Sequence, residues 1–85
     1  MDDSIHFSDM LEEREIRREW VDRTIQEPEK VEEHEDGTRH FIRRVPEFGN
    51  RWLRVVVNTE DKPELRVTAF FDRRLVRRQY ENQSG

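Results

Sequence analysis

The chain has 85 residues, of which 32% are hydrophobic and 42% are charged, and its formal net charge is -4. This length suits a single small domain over residues 1–85, and five phenylalanines with two tryptophans predict a thin hydrophobic core. The lack of cysteine excludes disulfides and thiolate metal sites. No secretory or membrane-spanning pattern is apparent, so we expect a soluble cytoplasmic protein without membrane association.

Charge is divided unequally between the two halves of the chain. Residues 1–42 carry 14 acidic and 6 basic residues, a net of -8, whereas residues 43–85 carry 6 acidic and 10 basic residues, a net of +4. A basic half indicates an anionic partner for that half. The alternative, equally open, is that both halves form solvated surface and internal ion pairs.

The chain begins with residues 2–6, which are either a short edge strand or irregular. A first helix is predicted over residues 8–15, with Ser8 or Asp9 as its N-cap. Asp9 and Glu12 have the spacing of a capping box. The first helix is therefore expected to be short and to begin at these polar residues.

A second helix is predicted over residues 17–26, because apolar residues recur at helical spacing from Ile16 to Ile25. Pro28 ends this helix, since proline disfavours the helical conformation in the residue before it. Residues 29–33 then predict a weak strand.

The remaining chain predicts antiparallel strands. A turn at residues 35–37 leads into a strand over residues 38–45, and the alternating residues 51–74 form a hairpin around a polar loop at 59–63. Residues 74–82 predict a short basic helix or a tail. The fold class is therefore α+β, with two N-terminal helices packed on a three- to four-stranded antiparallel sheet.

Strand alternation assigns the side chains to two faces of the predicted sheet. The first face is apolar, with Arg43 as its one exception, and should pack against the helices. Its members are Phe41, Arg43, Val45, Leu53, Val55, Val57, Leu65, Val67, Ala69 and Phe71. The second face mixes cations with aromatic rings. Its members are His40, Ile42, Arg44, Trp52, Arg54, Val56, Asn58, Arg66, Thr68, Phe70 and Asp72.

Two interpretations of the second face remain open. Arginines between aromatic rings can hold phosphates while bases stack on the rings. Alternatively, the arginines lie flat on the aromatics and the face is simply solvated. His40, on this face, is a candidate general acid or base, or a structural histidine.

The other chemistry-bearing residues are sparse. His6, His34 and His40 show no metal-ligand spacing, so we expect neither a metal nor another cofactor, and His34 is expected at the surface. Nucleophile motifs and a phosphate-binding loop are lacking as well. Binding of a polyanion, or cleavage of RNA by its own 2′-hydroxyl, needs no protein nucleophile and remains open.

The chain contains a series of short motifs that resembles the pattern of a widespread bacterial family. That pattern is, in chain order, His, Glu-Arg-Gly-Ile, Pro, a strand of valines and Thr. The motifs are His6-Phe7, Glu13-Arg14-Glu15-Ile16, Pro28, Asp36-Gly37-Thr38, residues 53–57, Thr68, and Phe71-Asp72-Arg73-Arg74. That uncharacterised family is similar to the BrnT and RelE/ParE toxins of type II toxin–antitoxin systems. The C-terminal residues 73–81 also resemble the basic Arg-Arg-x-x-Tyr-Glu end of BrnT-like proteins. One departure is Glu15, which stands where the family pattern has glycine.

The resemblance implies a metal-independent endoribonuclease that cleaves RNA or ribosome-bound mRNA and that pairs with a small cognate antitoxin. In such toxins the 2′-hydroxyl attacks the adjacent phosphate while arginines stabilise the developing charge. The matching positions are His6, Arg14, Arg54, Thr68, Arg73, Arg74 and Tyr80. The candidate catalytic residues are His6, His40, Arg54, Arg73 and Tyr80. The candidate RNA-binding residues are Arg44, Trp52, Arg54, Arg66, Arg73, Arg74, Arg77 and Arg78.

The alternative is a non-catalytic module of the same fold whose sheet face or edge binds another protein. The acidic first half and the net negative charge favour this second hypothesis. The oligomeric state, the RNA sequence and the antitoxin are not specified by the sequence.

Overall fold

The computed structural model describes residues 1–75, which fold as helices packed against a five-stranded sheet. The elements in chain order are β1 (Asp2–Asp3), α1 (Phe7–Glu13), α2 (Arg18–Gln26), β2 (Lys30–Glu33), β3 (Thr38–Val45), a 3₁₀ turn (Pro46–Phe48), β4 (Arg51–Asn58) and β5 (Leu65–Phe71). The α+β class is confirmed. Arg77, Arg78, Tyr80 and most of the predicted C-terminal helix or tail lie outside the described residues.

The strands are ordered β1-β5-β4-β3-β2 across the sheet. Strands β2 to β5 form the antiparallel meander that alternation predicts, and β1 adds a parallel edge by pairing Asp2 with Leu65. The prediction of three to four strands was therefore one short. Two residues cannot show an alternating pattern, and β1 is held mainly by backbone bonds, such as Asp2 N to Glu64 O at 2.8 Å.

Helix α1 begins and ends differently from the prediction. Its N-cap is His6, without a side-chain capping bond, so the predicted cap at Ser8 or Asp9 is wrong. Phe7 is fully buried, and packing of this residue places the helix start one residue earlier than the polar residues indicate. Local capping preference is weaker than the burial of a phenylalanine.

The C-terminus of α1 is closed by a Schellman motif. Ile16 N donates to Leu11 O at 2.9 Å, Glu15 N donates to Glu12 O at 3.2 Å, and Glu15 is left-handed with φ 56°. Ile16 and Leu11 are both buried, which supplies the apolar contact of this motif. The helix therefore ends at Glu13, two residues before the predicted end.

Both helices pack on one face of the sheet, which we call the apolar face. Trp20, Val21 and Thr24 are buried on α2, and the Thr24 hydroxyl donates to Trp20 O at 2.7 Å. The core comprises Phe7, Leu11, Ile16, Trp20, Val21, Phe41, Val45, Leu53, Val55, Val57 and Ala69. The predicted packing of the helices on this face is thus confirmed.

Arg43, the polar exception on the apolar face, has a structural role. Its Nη1 donates to Glu27 O at 2.7 Å, and Glu27 is the C-cap of α2. A cation at this position satisfies a carbonyl that the helix leaves free and is favoured by the helix dipole.

A register shift between β4 and β5 moves two residues off their predicted faces. The irregularity lies between Val56 and Val57, after which Arg66 is opposite Val57 and Leu65 is opposite Asn58. Because opposite residues share a face, the assignments of Arg66 to the second face and Leu65 to the first were wrong. Arg66 instead bonds Met1 O at 3.0 Å and lies 3.3 Å from Asp3.

Within residues 1–75, none of the helices is both long and apolar enough to cross a membrane.

Candidate functional site

A pocket of about 240 Å³ lies on the sheet face opposite the helices. Arg54, at its centre, alternates along β4 with Leu53 and Val55, which are buried in the core, so its side chain projects from the other face. We call this the polar pocket. Its lining consists of Glu32, His34, His40, Arg54, Phe70, Asp72, Arg74 and Leu75.

Arg54 is buried, with only 6% of its surface exposed, and joins three strands. Its Nε donates to Asp72 Oδ2 at 2.9 Å. Its Nη1 donates to Glu32 Oε1 at 2.7 Å and to His40 Nδ1 at 2.9 Å. A buried guanidinium is stable only when its charge and its N–H groups are matched in this way, so Arg54 forms the centre of a polar network.

Asp72, 4% exposed, lies directly after β5 and is the second buried charge of this network. Burial raises the pKa of its carboxyl, but hydrogen bonds from Arg74 and Arg54 outweigh that effect and the pKa is lowered overall. Arg74 donates to Asp72 Oδ1 from both its backbone N, at 3.0 Å, and its Nε, at 3.1 Å. Asp72 thereby fixes the chain direction where β5 ends.

Glu32, on β2, is the second carboxylate of the polar pocket. The pKa of Glu32 is lowered from 4.5 to about 2, mainly by the hydrogen bond from Arg54; partial burial opposes this shift, and hydrogen bonds with His34 and Lys30 add to it. Glu32 is therefore ionised at neutral pH. It pairs with His40 across the β2–β3 register, which brings the acid next to the imidazole.

His40 is held at both ring nitrogens. Nδ1 accepts from Arg54, and Nε2 lies 3.1 Å from the Thr38 hydroxyl, which itself donates to Asp36 Oδ1. Because Arg54 can only donate, we assign the ring proton to Nε2, which donates to Thr38. Burial lowers the pKa of His40, as do the nearby His34 and Arg54, so the ring is neutral at pH 7.

His34 stacks on His40 with ring centroids 3.8 Å apart and an interplanar angle of 19°. Its Nε2 lies 3.1 Å from Glu32 Oε1, and its side chain is 39% exposed. His34 is thus exposed, as the sequence predicts, and it also lines the polar pocket. A carboxylate beside an imidazole fixes the orientation of the ring.

Three of these groups could in principle ligate a metal ion. Ligand atoms of Glu32, His34 and His40 all lie within 4.8 Å of one another. However, the Arg54 guanidinium already donates to Glu32 and His40, and the Nε2 proton of His40 removes the lone pair that a metal needs. The network is therefore built around the arginine cation, and a second cation would face charge repulsion.

A larger cleft of about 500 Å³ adjoins the polar pocket, where β4 begins and β5 ends. We call it the end cleft. Asp72 lines both, while Arg73 lines the end cleft and Arg74 lines the polar pocket. The lining of the end cleft is Gly49, Asn50, Arg51, Trp52, Phe71, Asp72 and Arg73.

The candidates from the sequence are distributed over several places. The polar pocket brings together His40, Arg54 and Arg74, whereas Trp52 and Arg73 line the end cleft. Arg44 forms hydrogen bonds with Glu29, one of them at 2.8 Å, and its guanidinium lies 5.2 Å from the centroid of Trp52.

His6 lies in neither site. It caps α1, on the opposite side of the sheet from the polar pocket. Arg14 and Thr68, which match the family pattern, contact each other instead at the α1–β5 junction, where Arg14 Nη1 bonds Thr68 Oγ1 at 3.2 Å and Ala69 O at 2.8 Å. These three matching positions therefore lie outside the polar pocket.

Sequence reasoning missed Glu32, His34 and Asp72 as members of one site. A signal for the first two was present, because the predicted turn at residues 35–37 pairs β2 with β3 and sets Glu32 opposite His40. Residues two apart in a strand share a face, so His34 follows from Glu32. Alternation had already placed Asp72 on the second face with Arg54, but strand pairing could not bring the two together, since Asp72 lies beyond the last paired residue of β5.

Comparison with known proteins gives one family match. Neither a curated protein nor a solved structure matches the chain significantly. A family model does match over residues 4–71, which include both helices and strands β2 to β5, and its description is a domain of unknown function. The description names no activity and no relation to the BrnT or RelE/ParE toxins. This chain therefore belongs to the DUF4258 family.

Proposed function

We propose that the chain is a toxin-like protein, related to the BrnT and RelE/ParE toxins, that binds RNA and cleaves it without a metal. The polar pocket is the proposed site, and a small antitoxin is the proposed partner. The observation that carries the proposal is the pairing of His34 with Glu32 beside two arginines in that pocket. Acid–base groups with adjacent cations are what cleavage of a phosphodiester by its own 2′-hydroxyl requires.

The two histidines have different proposed roles. Both nitrogens of His40 are engaged by Arg54 and Thr38, so His40 acts as a positioning residue that supports the ring of His34. The Nε2 of His34 faces Glu32, and its Nδ1 has no hydrogen-bond partner among residues 1–75. His34 is therefore the group that exchanges a proton with the substrate.

Arg74 is the proposed phosphate ligand. Its side chain is 72% exposed and is anchored at one end by Asp72, so its remaining N–H groups can reach a ligand at the pocket mouth. Arg54 lies behind this surface, at 6% exposure, and holds Glu32 and Asp72 in place. The exposed arginine would bind phosphate, while the buried one maintains the site.

The proposed reaction exchanges one P–O bond for another and moves two protons, one onto His34 and one from solvent onto the leaving oxygen; His34 then returns its proton to solvent. His34 Nδ1 takes the proton of the 2′-hydroxyl, and the 2′-oxygen forms a bond to the neighbouring phosphorus. The bond from phosphorus to the 5′-oxygen breaks, and that oxygen takes a proton from solvent. The products are a 2′,3′-cyclic phosphate and a 5′-hydroxyl end, and Arg74 stabilises the added negative charge on the way.

A second candidate function is a protein-interaction module without catalysis. The observation that favours it is that many cations are matched internally: Arg44 pairs with Glu29, and Arg39 lies near both Glu33 and Glu64. A surface whose positive charges are paired with carboxylates attracts RNA only weakly. The net charge of the chain, -4, weakens this attraction further.

Cleavage of a labelled single-stranded RNA by the purified chain tests the proposal. We expect the wild type to generate 2′,3′-cyclic phosphate ends in the presence of a chelator, and His34→Ala to lose this activity. Glu35→Ala is the matched control, because Glu35 is an exposed neighbour of His34 that does not line the pocket.

Expression in a bacterial host, with growth and total mRNA followed over time, gives the cellular counterpart. RNA left intact in both assays would reject the ribonuclease proposal and favour the interaction module. Cleavage that is lost in His6→Ala but retained in His34→Ala would move the site to the N-terminus of α1.

A further inference from the structure

We infer that the end cleft is a nucleobase-binding subsite, in which a base of the RNA stacks against Trp52 while an adjoining phosphate is held at the polar pocket. This inference rests on the proposed RNA binding and adds the position and the residues that hold a base.

The end cleft has the size and position that such a subsite needs. Its volume of about 500 Å³ falls in the range of small-molecule sites, and it meets the polar pocket at Asp72. Gly49 forms one side with φ 66°, and a Cβ added there would meet nothing within 4 Å, so this side is open. The end cleft and the polar pocket are therefore adjacent, with Asp72 as their common lining residue.

The walls of the cleft are aromatic and cationic. Trp52 is half-buried, and Arg44 lies over its ring at 5.2 Å from the centroid, which fixes the indole orientation. Arg51 lies 4.7 Å from the centroid of Phe48, next to the same cleft. Planar guanidinium groups held on rings can stack with a base or bind phosphate, and a fixed indole loses little entropy when a base stacks on it.

The charges around the end cleft are compatible with a base that belongs to an anionic strand. Arg51 and Arg73 line the cleft and are both exposed. Among residues 1–75, the acidic residue that lines the cleft is Asp72, which is paired with Arg54 and Arg74. An aromatic wall beside exposed cations fits a base joined to phosphates better than it fits a simple anion.

Binding of a short single-stranded RNA oligonucleotide to wild type, Trp52→Ala and Trp52→Phe tests the inference. We expect Trp52→Ala to weaken binding roughly ten-fold, because stacking of one base on an aromatic side chain is lost. Trp52→Phe should retain most of the affinity, since phenylalanine keeps a ring at this position. Far-UV circular dichroism of each variant shows whether the fold is intact.

An oligonucleotide with abasic sites keeps the test independent of the stability of the variants. On the wild type, the abasic strand should bind roughly ten-fold more weakly than the intact strand, and Trp52→Ala should add no further loss. Intact and abasic strands that bind the wild type equally would overturn the stacking subsite and leave RNA binding standing. A wild type that binds neither strand would overturn the proposed function and this inference together.

Discussion

The two faces of strand β4 are built on different physical principles. Leu53, Val55 and Val57 face the helices and are fully buried among apolar side chains. Arg54, between them, projects from the other face and is buried among charges. The contribution of the apolar face to the free energy of unfolding varies with the apolar area that is buried. In the polar pocket the charges compensate one another, so removal of one charge leaves its buried partners unpaired.

The largest effect should come from Arg54→Met, which keeps much of the side-chain volume but removes the charge. Asp72 and Glu32 would lose their principal partner, and breaking a buried ion pair in this way costs about 3–5 kcal/mol. Small domains have about 5–15 kcal/mol in total, so urea denaturation should show a strongly destabilised or unfolded variant.

Arg44→Met is the matched control for the Arg54 substitution. Arg44 is on the neighbouring strand and also pairs with a glutamate, but its side chain is 43% exposed. We expect its midpoint of unfolding to stay near that of the wild type, because solvent screens an exposed pair. Equal decreases in the free energy of unfolding of the two variants would show that the ion pairs of the polar pocket contribute no more to stability than an exposed ion pair does.

On the apolar face, Leu53→Ala should reduce the free energy of unfolding by about 2–5 kcal/mol. Leu53 has no exposed surface, and truncation leaves a cavity that the surrounding core fills only partly. Val67→Ala, at a position 41% exposed on the adjacent strand, serves as the comparison and should change stability much less. Thermal unfolding of both variants measures the difference.

The two faces should also respond differently to acid. The pKa of Glu32 is about 2 in the folded chain and 4.5 ordinarily, so the unfolded chain takes up the proton first as the pH falls. Above pH 4.5 this difference in pKa contributes roughly 3 kcal/mol to the free energy of unfolding. The contribution is lost as the pH falls from 4.5 to about 2. Urea midpoints measured across this range should fall in the wild type and remain flatter in Glu32→Gln.

His40 should make stability begin to decrease at a higher pH than Glu32 does. Its pKa is lowered in the folded chain, so the unfolded chain binds a proton first and stability begins to fall below pH 6.5, the ordinary value. In His40→Asn the side-chain oxygen can still accept from Arg54, but no titration occurs near this pH. The decrease that begins near pH 6.5 should therefore disappear in that variant, and its persistence would assign the effect to another group.

The contrast between the faces also explains what the sequence could predict. Strand β3 was predicted over residues 38–45 and is observed as Thr38–Val45, because alternation and a preceding turn define it locally. The position of Arg66 was not predictable, since a register shift at Val56 and Val57 leaves no mark in the alternation of either strand.

The candidate site was harder to predict than the fold. Alternation places Arg54 on the second face, but it cannot tell an arginine that binds a ligand from one that is buried by Asp72 and Glu32. That distinction depends on residues from three separate segments, which only the assembled register brings together. His34 was correctly predicted as exposed, but its place in the site was not predictable, because its stacking on His40 is a tertiary contact.

Glu15→Gly should stabilise the chain by about 1 kcal/mol. The substitution lies at the C-terminal end of α1 and involves neither the polar pocket nor the end cleft. Glu15 is at the C′ position of the Schellman motif with φ 56°, where glycine adopts the left-handed conformation without steric cost. This also gives a physical reason for the glycine of the family pattern. The variant should raise the melting temperature and leave RNA binding unchanged, whereas a lowered melting temperature would contradict the left-handed conformation.

Arg74→Gln should have the smallest effect on stability and yet a clear effect on RNA binding. Its side chain is 72% exposed, and Asp72 keeps Arg54 as a partner after the substitution, so unfolding should hardly change. If Arg74 contacts a phosphate, binding weakens and the slope of log affinity against log salt falls by about 0.7. An unchanged slope would remove Arg74 from the binding surface. Combined with a destabilised Arg54→Met, a reduced slope would establish that one arginine of the pocket maintains the fold while the other meets the ligand.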